Sequence, residues 1–296
     1  PYEKIINDRV VVLLSDGSLV ETVRSYGYAH VHYLPLAART AAPHPADRPI
    51  PAVFGVDAPQ ALFVGDSFLA KAAACIRQTR GRNPLLGRYK ELANAMAQGR
   101  SLEDALQQVP GCRRRLDAMP DPAAKANVSM LVALYATALL RADFLKRLLP
   151  YRHLVIGPNN WRRLIRDRRL RLMPPTYDFN AIAAIFQHSA VTLNVTSLLT
   201  NGAANERVFD VPMAGGFLLT DNSAQVADLF DPDDEIVMYK GADHLLEQLA
   251  RYVHDVSARE RIRQRAAKRI LHEHTYPHRA ASLLHLVKRA AATMRP

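Results

Sequence analysis

Between Asn205 and Asp221 the sequence reads NERVFDVPMAGGFLLTD, and an Asn, an Arg, an Asp and a glycine pair stand there at spacings suited to an anion. Asn205 has the side chain of a helix N-cap, whose oxygen accepts from an amide of the first turn. Arg207 falls in that first turn, and Asp210 lies three residues on, on the same face. A helix N-terminus and a guanidinium aimed at one anion make a pyrophosphate site, because the dipole and a charge-assisted hydrogen bond act together. Asp210 is then placed to accept from the hydroxyls of a ribose. The same spacing also describes an exposed i,i+3 ion pair between Arg207 and Asp210, which is worth little. Gly215 can end the helix in a left-handed conformation, and Gly216 lets the backbone pass closely into the next strand. That capping role needs no ligand.

The elements that must position these residues read as strands alternating with helices. A strand at 62–64 runs into Gly65-Asp66-Ser67 and a helix, and HLVIGPNNW is a short strand ending in Gly157-Pro158. DFNAIAAIFQHS (helix), AVTLNVT (strand), the NERVFDVPMAG helix, GFLLTD (strand), AQVADLF (helix), EIVMY (strand) and GADHLLEQLARYVHD (helix) follow. This alternation predicts an α/β fold with a doubly wound parallel sheet. Ligands bind such sheets at the carboxyl ends of the strands. The candidate binding residues are therefore those of the loops after Val64, Ile156, Val195 and Thr220: Gly65, Asp66, Ser67, Gly157, Asn159, Ser197 and Asp221, with Asn194 at the end of its strand.

Ahead of this region RVVVLLSDGSLVETVRSYGYAHVHYLPLA reads as one βαβ-like unit, and residues 38–52, rich in Pro and Ala, read as a linker. The division is thus residues 1–48, part of an N-terminal Rossmann-like unit, and residues 49–296, a second Rossmann-like domain. Residues 78–150 read as a helical insertion, in which Ser101 is an N-cap with Glu103 two positions later. Residues 275–296 form a closing helix whose Leu283, Leu284 and Val287 are expected to dock back on the core.

The net charge of +11 and pI near 9.9 call for an anionic partner, whether a phosphate-bearing ligand, a nucleic acid or a membrane surface. WRRLIRDRRLRL, residues 161–172, packs six arginines into twelve positions without interleaved aromatics, so it reads as a solvated basic face or as attraction to an acidic surface, not a nucleic-acid reader. Two cysteines, Cys75 and Cys112, build neither a zinc site nor a disulfide framework and suit a reducing, cytoplasmic setting. The apolar run from Met130 to Leu140 is shorter than the roughly 20 residues of a membrane span and reads as a buried helix. No signal peptide is visible at the start, where a trimmed N-terminus is an open reading. DPDDE (231–235) reads as a turn although its Asp-x-Asp has metal-binding spacing, and His274 and His278 of HEHTYPHR read as capping groups although they too have ligand spacing. No metal and no cofactor are expected. His30 and His32 read as strand-end histidines.

FVGDS (63–67), GPNNW (157–161), TLNVTS (192–197), NERVFDVPMAGGFLLTD, LFDPDDEIVMY (229–239) and HEHTYPHR (272–279) together, in this order, resemble the bacterial CgeB-like glycosyltransferases, with a group 1 glycosyltransferase-type C-terminal domain. The resemblance covers roughly residues 25 to 285. It implies a GT-B architecture and transfer of a sugar from a nucleotide-sugar donor, a UDP- or GDP-sugar, to an acceptor glycan, lipid or protein. In that frame Arg207 is the catalytic residue, stabilising the departing diphosphate together with the loop amides after Gly65 and the helix dipole. Asp210, where many relatives carry Glu, stands near the donor ribose, Asn205 and the Gly215-Gly216 pair belong to the same neighbourhood, and Glu235 matches the acidic residue before the next strand. Residues 1–48 are short for a full acceptor domain, so the alternative is a non-catalytic module that binds nucleotide sugar or glycan. A cytoplasmic protein, peripheral to the inner face of the membrane, is expected.

Overall fold

The structure is a computed structural model that describes residues 9–39, 58–79, 83–200 and 202–293; the boundary expected at 48/49 lies outside them. In chain order the elements are β1 (Val11–Leu14), a 3-10 turn (Gly17–Leu19), α1 (Val20–Ser25), β2 (His30–Tyr33), β3 (Ala61–Val64), α2 (Leu69–Gln78), α3 (Tyr89–Ala97), α4 (Leu102–Gln108), α5 (Cys112–Asp117) and α6 (Pro122–Leu148). Then follow β4 (His153–Ile156), α7 (Trp161–Leu164), β5 (Leu172–Met173), α8 (Phe179–His188), β6 (Val191–Leu193), α9 (Glu206–Met213), β7 (Leu218–Asp221), α10 (Ala224–Ala227), β8 (Val237–Tyr239), α11 (Gly241–His254), α12 (Val256–Glu273) and α13 (Tyr276–Thr293).

Chain contacts divide the molecule into two compact units, residues 1–62, 177–196 and 200–296 in the first and residues 63–176 and 197–199 in the second. In the first unit the sheet order runs from the start of β3 through β6 and β7 to β8. The β6-β7 and β7-β8 pairs are parallel, with Thr192 opposite Leu218 and Leu219 opposite Val237. The strands are short, almost wholly buried apolar runs, as parallel strands covered on both faces require. The aromatic side of this core joins Phe209 of α9 to Phe230 and His274, with ring centroids 6.0 and 6.1 Å from Phe209.

β1 and β2 form a separate parallel pair. Gln225 of α10 ties their connection down: its side chain donates to Asp16 Oδ1 (2.9 Å) and accepts from the Gly17 amide (2.8 Å). At the other end, the Ala38 amide donates to His274 O and Tyr276 N donates to Ala38 O (2.8 and 3.1 Å), while Arg279 donates to the carbonyls of Pro35 and Leu36. These bonds anchor α13 at its start. The expectation that its leucines dock on the core does not hold. Leu283, Leu284 and Val287 are 37, 60 and 42% exposed, and the inward face is instead the one carrying Arg279 and Ala290, which is 3% exposed.

In the second unit the order is β5-β4 and the end of β3, with Gly65 N donating to Ile156 O at 3.0 Å. Only helices lie between Leu69 and Leu148 among the described residues. Ser101 caps α4, and Asp104, not Glu103, closes the capping box, because the third helical position is the one whose side chain reaches back to the N-cap amide. α6 begins at Pro122 behind the Asp121 cap and runs for 27 residues, so it is longer than its apolar run suggests. By length and composition it could cross a membrane, but 67% of its apolar window is buried in the protein. Leu131, Val132, Leu134 and Ala136 pack into two clusters with α2, α3, α4 and α5. It is the core helix of this unit.

Candidate functional site

In the first unit a chain of buried amides and hydroxyls joins the ends of β6 and β7 to the start of α9. Asn205 has extended backbone angles, and its Oδ1 accepts from Arg207 N at 3.1 Å, which makes it the N-cap. Its Nδ2 donates to Asn194 Oδ1 (3.0 Å), whose own Nδ2 donates to Thr220 Oγ1 (2.9 Å). Asn194 is 2% and Thr220 1% exposed. The Tyr239 hydroxyl donates to Asn194 O at 2.8 Å. Beside this chain the half-buried Asp221 carboxylate accepts from Thr196 N and Thr196 Oγ1 (3.0 and 2.9 Å) and so holds the loop after β6 in place. Burial pushes the Asp221 carboxyl up, against the pull of those bonds from Thr196. Asn194, Asn205 and Asp221 are thus brought together, and their polar atoms fix the frame around α9.

Arg207 and Asp210 follow on α9. Among the described residues no ion pair joins Arg207 to Asp210 or to any other carboxylate, so the surface-pair reading of their spacing is not what forms. The Arg207 Nε is buried without a hydrogen-bond partner, and burial draws the guanidinium below its usual range, with Glu206 and Asp210 opposing. Burial also pushes Asp210 up to about 6, with Arg39 pulling the other way before Glu206 adds to the rise. A cation and an anion on adjacent turns, each desolvated and neither neutralising the other at contact distance, leave both open to a ligand.

Gly215 and Gly216 lie at the far end of the same helix. Gly215 takes φ +82° and its carbonyl accepts from Arg263 Nη1 at 2.6 Å. A Cβ on Gly216 would come within 2.9 Å of Phe186 O and of the Val211 side chain. The pair therefore closes α9 and passes the chain into β7. Glu235 sits in the turn after Asp231: it accepts from the Asp231 amide (2.9 Å), and Arg269 lies 3.6 Å away. Asp234 of that turn pairs with Arg265. His274 meets Leu229 O through Nε2 (2.9 Å), and Arg279 reaches its Nδ1 at 3.0 Å, while His278 bonds Thr275 Oγ1 at 2.6 Å. Both histidines work as local fasteners.

In the second unit the strand-to-helix loop after β3 is built from the main chain. Trp161 Nε1 donates to Gly65 O (3.0 Å), Arg141 Nη1 donates to Asp66 O (2.9 Å), and Asp66 Oδ1 accepts from Phe68 N (2.9 Å). Ser67, fully buried, donates its hydroxyl to Asn160 Oδ1 at 2.6 Å. Gly157 is required by close approach, since a Cβ there would meet Gly65 O at 2.4 Å and Trp161 Nε1 at 2.7 Å. Gly65, Asp66, Ser67 and Gly157 are thus brought together, whereas Asn159 is exposed beside them. Ser197 lies 3.4 Å from Thr137 Oγ1 of α6, and Leu198 N donates to that same hydroxyl (2.9 Å). Of the six arginines at 161–172, only Arg169 makes an ion pair among the described residues, with Asp167 at 2.8 Å, and Trp161 is buried, so the stretch is a solvated basic face.

Residues 140–285, just under half of the chain, match the family model of glycosyl transferase-like domains. That segment is a glycosyltransferase-like domain. It contains β4 to β8 with α9, and so Asn205, Arg207 and Asp210. Among solved structures the chain is similar to a glycosyltransferase from Rickettsia africae ESF-5, with TM-score 0.54 at 10% identity over 99% of this chain and 66% of the other. It is similar to a sucrose-phosphate synthase from Thermosynechococcus elongatus as well, with TM-score 0.54 at 10% identity over 98% of this chain and 61% of the other. At such identity the likeness shows the fold, the α/β parallel-sheet fold of GT-B glycosyltransferases. The chain spans less than two thirds of the length of these two structures. No curated protein matches it.

Within the glycosyltransferase-like domain, Thr220 and Tyr239 in the first unit and Asn160 in the second are polar partners of the candidate residues that the sequence does not single out. Asn160 is the second Asn of GPNNW, and nothing in a pair of adjacent asparagines says which one turns inward. Arg39 lies outside the domain segment and acts on Asp210 by charge, its guanidinium 5.3 Å from the Phe179 ring centroid. A lone Arg before a proline-rich stretch carries no signal of that.

Proposed function

We propose that the chain transfers a sugar from a nucleotide-sugar donor, a UDP- or GDP-sugar, to an acceptor hydroxyl without a metal ion, and that it is of the CgeB-like kind. The observation that carries this reading is Arg207, half-buried, its guanidinium Nε buried without a hydrogen-bond partner and no ion pair joining it to a carboxylate among the described residues, at the N-terminus of a helix whose cap is locked by Asn194. In such a position a diphosphate supplies the missing anion, and the helix dipole acts on the same charge. Transfer breaks the bond from the anomeric carbon to the diphosphate oxygen and forms one to the acceptor oxygen, which loses its proton. Negative charge grows on the departing diphosphate, where a guanidinium preorganised in a poorly solvated site contributes most. Asp210 accepts from the donor's ribose hydroxyls. Asn194, Asn205 and Asp221 are positioning residues that hold the start of α9 in place.

Release of nucleoside diphosphate from a panel of nucleotide sugars, measured in the presence of a chelator, tests this. Release from a UDP- or GDP-sugar that persists with chelator is expected. Release that needs an added divalent ion contradicts the metal-free reading, and nucleotide binding with no turnover in any acceptor screen contradicts transfer.

A further inference from the structure

His274 lies buried between α12 and α13, and both of its ring nitrogens are engaged. Nε2 stands 2.9 Å from Leu229 O, a carbonyl that only accepts, and Nδ1 stands 3.0 Å from Nη2 of Arg279, a guanidinium that only donates. The imidazole is therefore neutral, with its one proton on Nε2. Arg279 gives its other donors to main-chain oxygens: Nε to Pro35 O at 2.8 Å, Nη2 to Leu36 O at 3.1 Å and Nη1 to Glu273 O at 3.2 Å. Beside it the Ala38 amide donates to His274 O and Tyr276 N donates to Ala38 O. One guanidinium thus pins residues 35–38 to the start of α13, and it bonds to a nitrogen that must stay unprotonated.

The residue that follows the pinned segment is Arg39. Its guanidinium carbon lies 5.3 Å from the ring centroid of Phe179 at the start of α8, α8 packs on α9, and the Arg39 charge acts on Asp210 of α9. A proton on His274 Nδ1 would set N–H against N–H at 3.0 Å and place a second cation beside Arg279. Little around the ring offsets that. Phe209 and Phe230 give it apolar faces, with centroids 6.1 and 5.4 Å away, and residues 35–38 carry no charge. On α12 Glu273 is already paired with Arg269 at 2.9 Å, and His278 of α13 is engaged with Thr275. Burial draws the imidazole below its ordinary 6.5, with the Leu229 bond and Glu273 opposing and Arg279 and Arg269 adding to the fall. We propose that His274 and Arg279 form a latch, two positioning residues that hold Arg39 beside Asp210, and that a proton on His274 opens it. Its use in nucleotide binding rests on the function proposed for Asp210, but its closure does not.

Side-chain NMR titration and amide hydrogen exchange on the full chain without nucleotide test this, and their outcome does not depend on whether a nucleotide binds. At neutral pH His274 should carry its proton on Nε2, and it should titrate below 6.5. The unfolded chain takes up that proton first, so the latch stabilises fully above about pH 6.5 and less as pH falls through the folded midpoint. Through that midpoint the Ala38 and Tyr276 amides should lose about tenfold in protection, corrected for the intrinsic rate, while Thr192 N, bonded to Phe217 O within the sheet, keeps its own. Arg279→Lys keeps the charge but has no fork to span Pro35 O, Leu36 O and His274 Nδ1 together. It should lose the same protection already at neutral pH, and Asp210 should titrate higher in it, as in Arg39→Ala. The latch is overturned if Nδ1 carries the proton at neutral pH, or if Ala38 and Tyr276 stay protected through the midpoint. It is also overturned if Thr192 N loses protection with them, the change then being global unfolding. These wild-type outcomes decide the matter even where Arg279→Lys does not fold. An Asp210 midpoint that Arg279→Lys leaves unmoved would overturn the positioning of Arg39.

Discussion

A guanidinium in a poorly solvated place without a carboxylate at hand weakens a fold, and a carboxylate pushed up by burial does the same from the other side. Arg207 and Asp210 are such a pair on one face of α9, and the spacing alone left open whether they neutralise each other. The ordinary Asp value is 3.8 and Asp210 stands at about 6. Between those pH values the folded protein holds a proton that the unfolded chain has lost. Asp210 therefore contributes stability below about pH 4 that disappears as pH rises through about 6. Asp210→Asn should raise stability at pH 7 by about 1 kcal/mol, after allowance for solvent screening, and leave it unchanged near pH 4, as thermal melts at the two pH values would show. Nucleotide affinity should behave oppositely, falling below about pH 6 in the wild type, where Asp210 no longer accepts from two hydroxyls.

At the scale of elements, the strand and helix rhythm from β3 to α11 is legible because the short buried strands are apolar runs and α8, α9 and α10 start at recognisable caps, Asp178, Asn205 and Ser223. The hydrogen-bond chain from Thr220 through Asn194 to Asn205 is not legible. Its members are 26 and 11 residues apart and meet only because β6 and β7 are adjacent strands. Asn194→Ala leaves Asn205 and Thr220 with buried polar atoms unsatisfied and should cost about 2–3 kcal/mol in denaturant unfolding. Asn205→Ser, which keeps an N-cap oxygen but not the amide, should cost less, about 1 kcal/mol. The glycine pair shows the same limit from the other side: GG after a helix signals its end, but the backbone of α8 that excludes any side chain at Gly216 is 30 residues upstream. Gly216→Ala should destabilise by about 1–3 kcal/mol, and cooperative unfolding with an unchanged m-value would show that only packing has changed.

At the scale of the whole molecule, the sequence pattern of α13 is that of a helix needing an apolar partner, and periodicity is silent on whether the partner belongs to the same chain. The α6 helix shows the opposite outcome, since its apolar length is spent inside the second unit. The two units carry the candidate residues separately: the first holds Arg207, Asp210 and their supporting amides, and the second holds the Gly65-Asp66-Ser67 loop. The central claim therefore stands or falls on the first unit's Arg207, which has no ion-pair partner among the described residues. Titration calorimetry with UDP and GDP, on the wild type and on Arg207→Ala, addresses it most directly. The account predicts that one of the two diphosphates binds the wild type and that the substitution weakens binding about ten- to hundredfold, the worth of one charge-assisted contact in a poorly solvated site. Equal binding to both proteins, or binding of neither diphosphate to the wild type, would contradict it.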